Sequence, residues 1–281
     1  MRIDSHHHIW NLNVRPQTWM VGEELKPISR TILMNEIEPE LEKAKIDFTV
    51  IVQTVPTIDE TPEFLDLSLT HPKVSAVVGW LDLESVDIRQ QLEKYLNHKG
   101  GKNLVSIRDL AQDKADPNWY LRPEVLTNIH RIGEAGLTFD ILTRPPQLAA
   151  AVKMVGQSPN NVFVLDHISK PYMAKGEMQP WADQISEIAS YENVYVKVSG
   201  LFTEAKWNGW NYQTFHPYLD HILNAFSPQR MMFGSDWPVC LLAASYSQTI
   251  ELMEKFTQQF SPTEQRFFWA ETAKRAYNLK V

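Results

Sequence analysis

Near the start of the chain stands Asp4-Ser5-His6-His7-His8, and the spacing of its imidazoles matters more than their number. On an extended strand, residues two apart face the same way, so His6 and His8 project together while His7 points to the opposite face. Two imidazoles side by side can grip one divalent ion, zinc above all, when a carboxylate from another strand completes the site and a position stays open for water. Ser235-Asp236-Trp237-Pro238 offers that carboxylate in Asp236, and Asp166-His167 offers a further ligand or general base in His167. Arg108-Asp109, Asp140, and Lys197 followed by Ser199 add more polar groups. Hydrolysis by an activated water is the chemistry that such a set can carry. A serine nucleophile is set aside, because no Gly-x-Ser-x-Gly occurs and neither Ser199 nor Ser235 has an evident elbow.

These residues must be positioned by eight short β-rich apolar runs, each followed by a segment with helical spacing. The runs are Ile3–His8, Phe48–Thr54, Val74–Leu81, Leu104–Asp109, Leu137–Leu142, Val162–His167, Val194–Ser199 and Met231–Ser235. Phe48-Thr49-Val50-Ile51-Val52 is apolar on both faces, as a parallel strand covered by helices is. Ile88, Leu92, Tyr95 and Leu96, and likewise Leu219, Ile222, Leu223 and Phe226, predict helices with one buried stripe. Gly136 stands where a left-handed helix cap would follow Val125–Ala135, and Pro145-Pro146 separates the fifth strand from the next helix. Eight such units predict an α/β fold, a closed (β/α)8 TIM barrel, with an open doubly wound sheet as the alternative. No Gly-x-Gly-x-x-Gly follows any strand, which favours closure. No linker or repeat divides the chain, so residues 1–281 form one expected domain, with a lid or binding loop over residues 11–34. Catalytic groups of such barrels stand at the C-terminal ends of the strands, which is where the residues above fall.

Each group also has a plainer reading. The histidine triplet is embedded between Met-Arg-Ile-Asp-Ser and Ile9-Trp10, which argues against an expression tag. His71, His98, His130, His216 and His221 read as surface or capping residues. Asp109, Asp140 and Asp166 could cap helices or pair with Arg108, Arg144 or Lys170, and for Asp166 that reading is preferred. For Arg108, Lys197 and Glu204, an internal ion pair at the barrel mouth weighs as much as substrate contact. Trp10, Trp19, Trp207, Trp210 and Trp237 are core residues by default, and stacking faces for a small cyclic ligand if they reach the mouth.

Composition narrows the partners. Acidic residues outnumber basic ones, 34 to 27, and no basic block stands anywhere, so nucleic acid is not expected. The lone cysteine, Cys240, permits neither an internal disulfide nor a sulfur-ligated site and fits a reducing cytoplasm. No apolar run approaches the roughly 20 residues of a membrane span, and the first residues are not a charged-then-apolar leader, so a cytoplasmic protein is expected. Homo-oligomerisation is left open.

Six stretches, in order, carry a family resemblance. They are Ile3-Asp4-Ser5-His6-His7-His8-Ile9-Trp10, Val78-Gly79-Trp80-Leu81-Asp82-Leu83, Leu137-Thr138-Phe139-Asp140-Ile141-Leu142, Val164-Leu165-Asp166-His167-Ile168-Ser169-Lys170-Pro171, Val196-Lys197-Val198-Ser199-Gly200-Leu201 with Thr203-Glu204-Ala205, and Phe233-Gly234-Ser235-Asp236-Trp237-Pro238-Val239-Cys240. Over nearly its full length the chain resembles the lactonase-type branch of the amidohydrolase superfamily, the sugar-lactone hydrolases acting on L-fucono- and L-rhamnono-lactones. The resemblance implies an amidohydrolase-like barrel in which His6 and His8 match the first-strand metal pair, Asp236 the eighth-strand base and His167 the sixth-strand histidine. Members with firm metal sites add a histidine on strand five, where this chain has Asp140. Binuclear members bridge with a lysine or acid on strand four, where it has Arg108-Asp109. Some lactonases of the broader group act without metal. The cofactor implied is thus a divalent metal, zinc by ligand type, on His6, His8 and Asp236, weakly held or dispensable.

The activity implied is opening of a sugar-lactone ester to the hydroxy acid. Asp236, with or without a divalent metal, would take a proton from water, the metal or His167, His6 and His8 with Arg108 would hold the oxyanion, and Asp236 would return the proton to the departing alkoxide. Trp10, Trp19, Gln53, Lys197 and Glu204, with Arg108, are the expected sugar contacts. So few cations at the strand ends favour a neutral aldonolactone over a dicarboxylate. Two other readings stand beside this one: a metal-dependent decarboxylase or amidohydrolase on the same barrel, and a non-catalytic sugar-binding barrel, which fold alone never excludes.

Overall fold

The computed structural model describes all residues, Met1–Val281. Eight parallel strands follow one another round a single sheet in chain order. They are β1 (Ile3–His7), β2 (Phe48–Val52), β3 (Val74–Gly79), β4 (Leu104–Asp109), β5 (Thr138–Ile141), β6 (Phe163–Leu165), β7 (Val194–Val198) and β8 (Met231–Phe233). The covering helices are α1 (Met34–Lys43), α2 (Glu60–Thr70), α3 (Ile88–Leu96), α4 (Pro123–Glu134), α5 (Pro145–Gly156), α6 (Trp181–Ala189), the short α7 (Leu201–Glu204), α8 (Tyr212–Phe226) and α9 (Tyr246–Thr257). This is the predicted (β/α)8 barrel. Only β4 ends where its apolar run ends. The other strands stop one or two residues early, because their last residues leave the ladder to present side chains at the rim.

Helical stripes largely follow the pattern. Ile88, Leu92 and Tyr95 of α3 are buried, but Leu96 is 40% exposed. At 100° per residue it lies about 80° round from Ile88, off the core-facing stripe. Leu219, Ile222 and Phe226 of α8 are buried and Leu223 is half-buried. Gly136 adopts φ 78° after α4, the left-handed conformation that glycine takes without a Cβ penalty. Pro145 opens α5, where a missing N–H costs nothing.

The barrel closes through its rim. Asp236 N donates to His6 O at 2.8 Å and His8 N donates to Trp237 O at 2.7 Å. That seam carries the chain's first and last catalytic candidates as direct neighbours. Below it, Ile3, Val50, Ala76, Val164 and Met232 fill the barrel, with Ala273 and Tyr277 of the C-terminal segment packed against them. Residues 11–34 lie over the mouth, held by backbone bonds between Trp10 and Ile32 and by Arg15, which donates twice to Glu63 at 2.9 Å. No helix is long and apolar enough to cross a membrane.

Candidate active site

Four groups converge at the floor of the mouth. His6 Nε2 lies 3.1 Å from His8 Nε2, while His7 turns outward to Thr49 Oγ1 at 3.0 Å, as strand alternation requires. Asp236 Oδ1 stands 3.8 Å from His6 Nε2, 3.6 Å from His8 Nε2 and 3.9 Å from His167 Nε2. Asp236 itself has φ 57°. His167 arrives from a left-handed turn after β6, with its Nδ1 2.9 Å from Ser199 Oγ. Gly200 leaves room for that ring, since a Cβ there would come within 2.7 Å of His167 Nδ1.

Burial keeps the imidazoles neutral. It pushes His6 well below its usual value, lowers His8 and brings His167 to about 3. Burial alone would raise Asp236, but His167 and His8 beside it hold the carboxyl below its ordinary range. The floor thus offers unprotonated nitrogens and an ionised carboxylate. His8 Nδ1 donates to Val52 O at 2.8 Å, which fixes its tautomer and leaves the Nε2 lone pair facing the cluster. His6, His167 and Asp236 bring ligand atoms within 4.8 Å of one another. This donor set fits a divalent ion of the zinc type.

Beneath the floor lies a buried charge network. Lys197 Nζ donates to Asp140 at 2.6 Å and approaches Asp166 at 3.0 Å and His6 Nδ1 at 3.3 Å. Arg108 Nη1 donates to Asp166 at 2.9 Å, and its Nη2 donates to Gln53 O at 2.6 Å. Tyr277 Oη and Ser106 Oγ complete the bonds to Asp140 at 2.8 and 2.7 Å. Burial raises Asp140 despite Lys197, whereas Lys197, His6 and Arg108 outweigh burial at Asp166 and hold it well down.

Above the floor opens a cavity of about 360 Å³, lined among others by His8, His167, Asp236, Trp10, Trp19, Trp207, Arg108, Arg144, Lys170 and Glu204. Its size suits a small ligand. Trp19 packs edge-on against Trp10, with ring centroids 5.6 Å apart.

The structure therefore brings His6, His8, His167, Asp236 and Arg108 together, and puts Trp10, Trp19 and Glu204 in the cavity wall. Two expected sugar contacts lie elsewhere. Lys197 is fully buried beneath His6, its three donors turned to carboxylates and an imidazole. Gln53 is equally buried and braces Arg108, with Oε1 3.3 Å from Nη2. Of the five tryptophans, Trp210 bonds Ala243 O and Trp237 lies in the core. Asp166 does pair with Arg108, but at the centre of the barrel and 3.5 Å from His6 Nδ1, where it orients a cluster histidine. Trp207, one of the tryptophans with a possible stacking face, reaches the cavity wall, and Arg144 and Lys170, expected only as partners of aspartates, stand there too.

The amidohydrolase family model matches residues 3–279. The chain belongs to the amidohydrolase family. This amidohydrolase is 31% identical to an L-fucono-1,5-lactonase of Burkholderia multivorans over 290 residues, covering 99% of this chain and 96% of that one. It is 34% identical to an L-fucono-1,5-lactonase of Burkholderia ambifaria over 245 residues, 87% of this chain and 83% of that one. A crystal structure of an amidohydrolase from Burkholderia multivorans with bound zinc superposes with a TM-score of 0.93 at 31% identity, covering 99% of each chain.

Proposed function

We propose that this amidohydrolase opens the ester of a neutral sugar lactone, with Asp236 as the base that activates water. The observation that carries the reading is one carboxylate oxygen within 3.6–3.9 Å of three neutral imidazoles at the floor of the cavity. Two relatives bearing the name L-fucono-1,5-lactonase support the same substrate class. The wall supports a neutral substrate, because Arg108, Arg144 and Lys170 are matched by Asp113, Glu204 and Asp236.

In the mechanism, Asp236 receives a proton from water as the water oxygen adds to the lactone carbonyl carbon. Held below its ordinary range, the Asp236 carboxylate is a feeble base, so the surroundings must favour the step. Arg108 faces the cavity edge and can donate to the oxyanion that forms. Ser199 Oγ can donate to or accept from His167 Nδ1, so His167 can present Nε2 as a hydrogen-bond donor beside Asp236. When the tetrahedral carbon collapses, the ring C–O bond breaks and the alkoxide takes the proton from Asp236. A divalent ion held by His6, His8, His167 and Asp236 would supply a more acidic water and a polarised carbonyl.

The test is a pH-indicator screen of aldono-γ- and δ-lactones, with and without chelator, since each opening releases a proton. Acceleration of at least one neutral aldonolactone over its spontaneous hydrolysis is expected. No acceleration of any lactone would contradict the proposal.

A further inference from the structure

His167, Ile168, Ser169 and Lys170 occupy the left-handed region in succession, with φ of 53°, 46°, 61° and 47°. Such residues cost about 1–2 kcal/mol each, so a run of four is retained only when its surroundings enforce it. They do so here. Trp181 Nε1 donates to Ile168 O at 2.7 Å, Ser169 Oγ meets Thr143 Oγ1 at 2.6 Å, and Lys170 N donates to His167 O at 2.8 Å. Ile168 and Ser169 are fully buried, while His167 and Lys170 both line the cavity. Placing His167 alone would not require three more left-handed residues. The turn brings Lys170 to the same wall.

That wall differs from the floor in one respect. Every charged group beneath the floor is bonded to a protein partner, whereas Lys170 Nζ and both Glu204 oxygens make no hydrogen bond within the chain. The nearest charged neighbour of Glu204 is Arg144 Nη1 at 3.9 Å, and the Glu204 side chain is only 12% exposed. Burial lowers the Lys170 ammonium and raises the Glu204 carboxyl. Half-buried polar groups with free bonding capacity facing a cavity are groups built for a ligand. A donor beside an acceptor matches hydroxyls, each of which both donates and accepts, and does not match a carboxylate set directly against Glu204, which would repel it.

We infer that Lys170 and Glu204 form a hydroxyl-reading subsite, Lys170 donating and Glu204 accepting, that sets the preference for polyhydroxylated over bare lactones. This rests on the hydrolase reading above. It assigns a role to Lys170 and explains the strained turn.

The test compares an aldono-δ-lactone with δ-valerolactone, which has no ring hydroxyl. Lys170→Met and Glu204→Gln should each lower kcat/KM for the aldonolactone about 10- to 100-fold, chiefly through KM, and change δ-valerolactone turnover less than about threefold. Lys170→Arg keeps a donor and should recover part of the loss. Inhibition by the aldonate against that by hydroxypentanoate reads the same preference without needing the bare lactone to react, and melting temperatures control for the fold. Equal losses on both esters, or an unchanged preference, overturn the inference and leave the hydrolase reading standing. A native chain that opens neither ester overturns the hydrolase reading and this inference with it.

Discussion

Replacing Lys197 with methionine tests whether this lysine is a structural charge or a ligand contact. Its ammonium is fully buried, 2.6 Å from Asp140 and 3.0 Å from Asp166. Removing it leaves two buried carboxylates with Arg108 as their only cation. Breaking a buried pair by deleting one partner costs about 3–5 kcal/mol, because the remaining charge stays desolvated. At roughly 2.1 cal/mol/K of unfolding entropy per residue, 281 residues lose about 1.7 °C of Tm per kcal/mol, so Lys197→Met should melt roughly 5–8 °C lower. The sign of the pH effect follows from Asp140, whose carboxyl burial already raises above 3.8. Without Lys197 it rises further, so the folded form binds that proton more tightly than the unfolded chain. The resulting stability is full below the unfolded value and lost as pH climbs through the folded one, making the deficit larger near ~pH 8 than near ~pH 5. Lys197→Met/Asp140→Asn removes both charges and should recover most of the loss and its pH dependence. Calorimetry or circular dichroism of the three proteins reads this directly. A single variant as stable as the native chain, or a double variant further destabilised than the single, would refute the charge-balance reasoning.

Two further outcomes are expected. His7 is buried with its pKa lowered from 6.5 to about 3, so its contribution to stability is complete above the unfolded value and lost as pH falls from there toward 3. His7→Gln should therefore lose less stability on acidification, by about 2 kcal/mol near ~pH 5 in urea titrations. Removing metal with a chelator should leave measurable lactone turnover, because Asp236, Arg108 and His167 supply a base and hydrogen-bond donors from the chain itself. Stoichiometric zinc whose removal abolishes all activity would instead favour the metal-dependent decarboxylase or amidohydrolase reading.

The barrel was legible because its signal is repeated. Eight apolar runs alternate with helical stripes, and the parity rule separated His6 and His8 from His7 with no tertiary information. Position at the strand ends singled out Arg108, Asp140, Asp166 and Lys197, but a side chain there can end in the barrel core or at its mouth. Depth decides between those, and depth depends on the stagger of strands that the sequence does not state. Lys197 and Gln53 were therefore expected at the sugar, whereas Lys197 lies under His6 and Gln53 against Arg108. Asp166 was underrated for the same reason, since its partners come from β4, β7 and β1 at once. Lys170 was read only as an ion-pair partner because its place depends on four consecutive left-handed residues, none of them glycine, a conformation no local propensity anticipates. The seam joining β1 to β8 was equally hidden, although it is what seats Asp236 against His6 and His8.

Hydrolysis of the neutral aldonolactone most accelerated in the screen, by the native chain and by Asp236→Asn, bears most directly on the proposed chemistry. Asparagine tolerates the φ of 57° at this position, so the variant should fold with an unchanged cavity and lose only the base. Turnover should fall about 10²- to 10⁴-fold, with a melting temperature near the native one. Native-like turnover in that variant would mean that Asp236 does not activate the water.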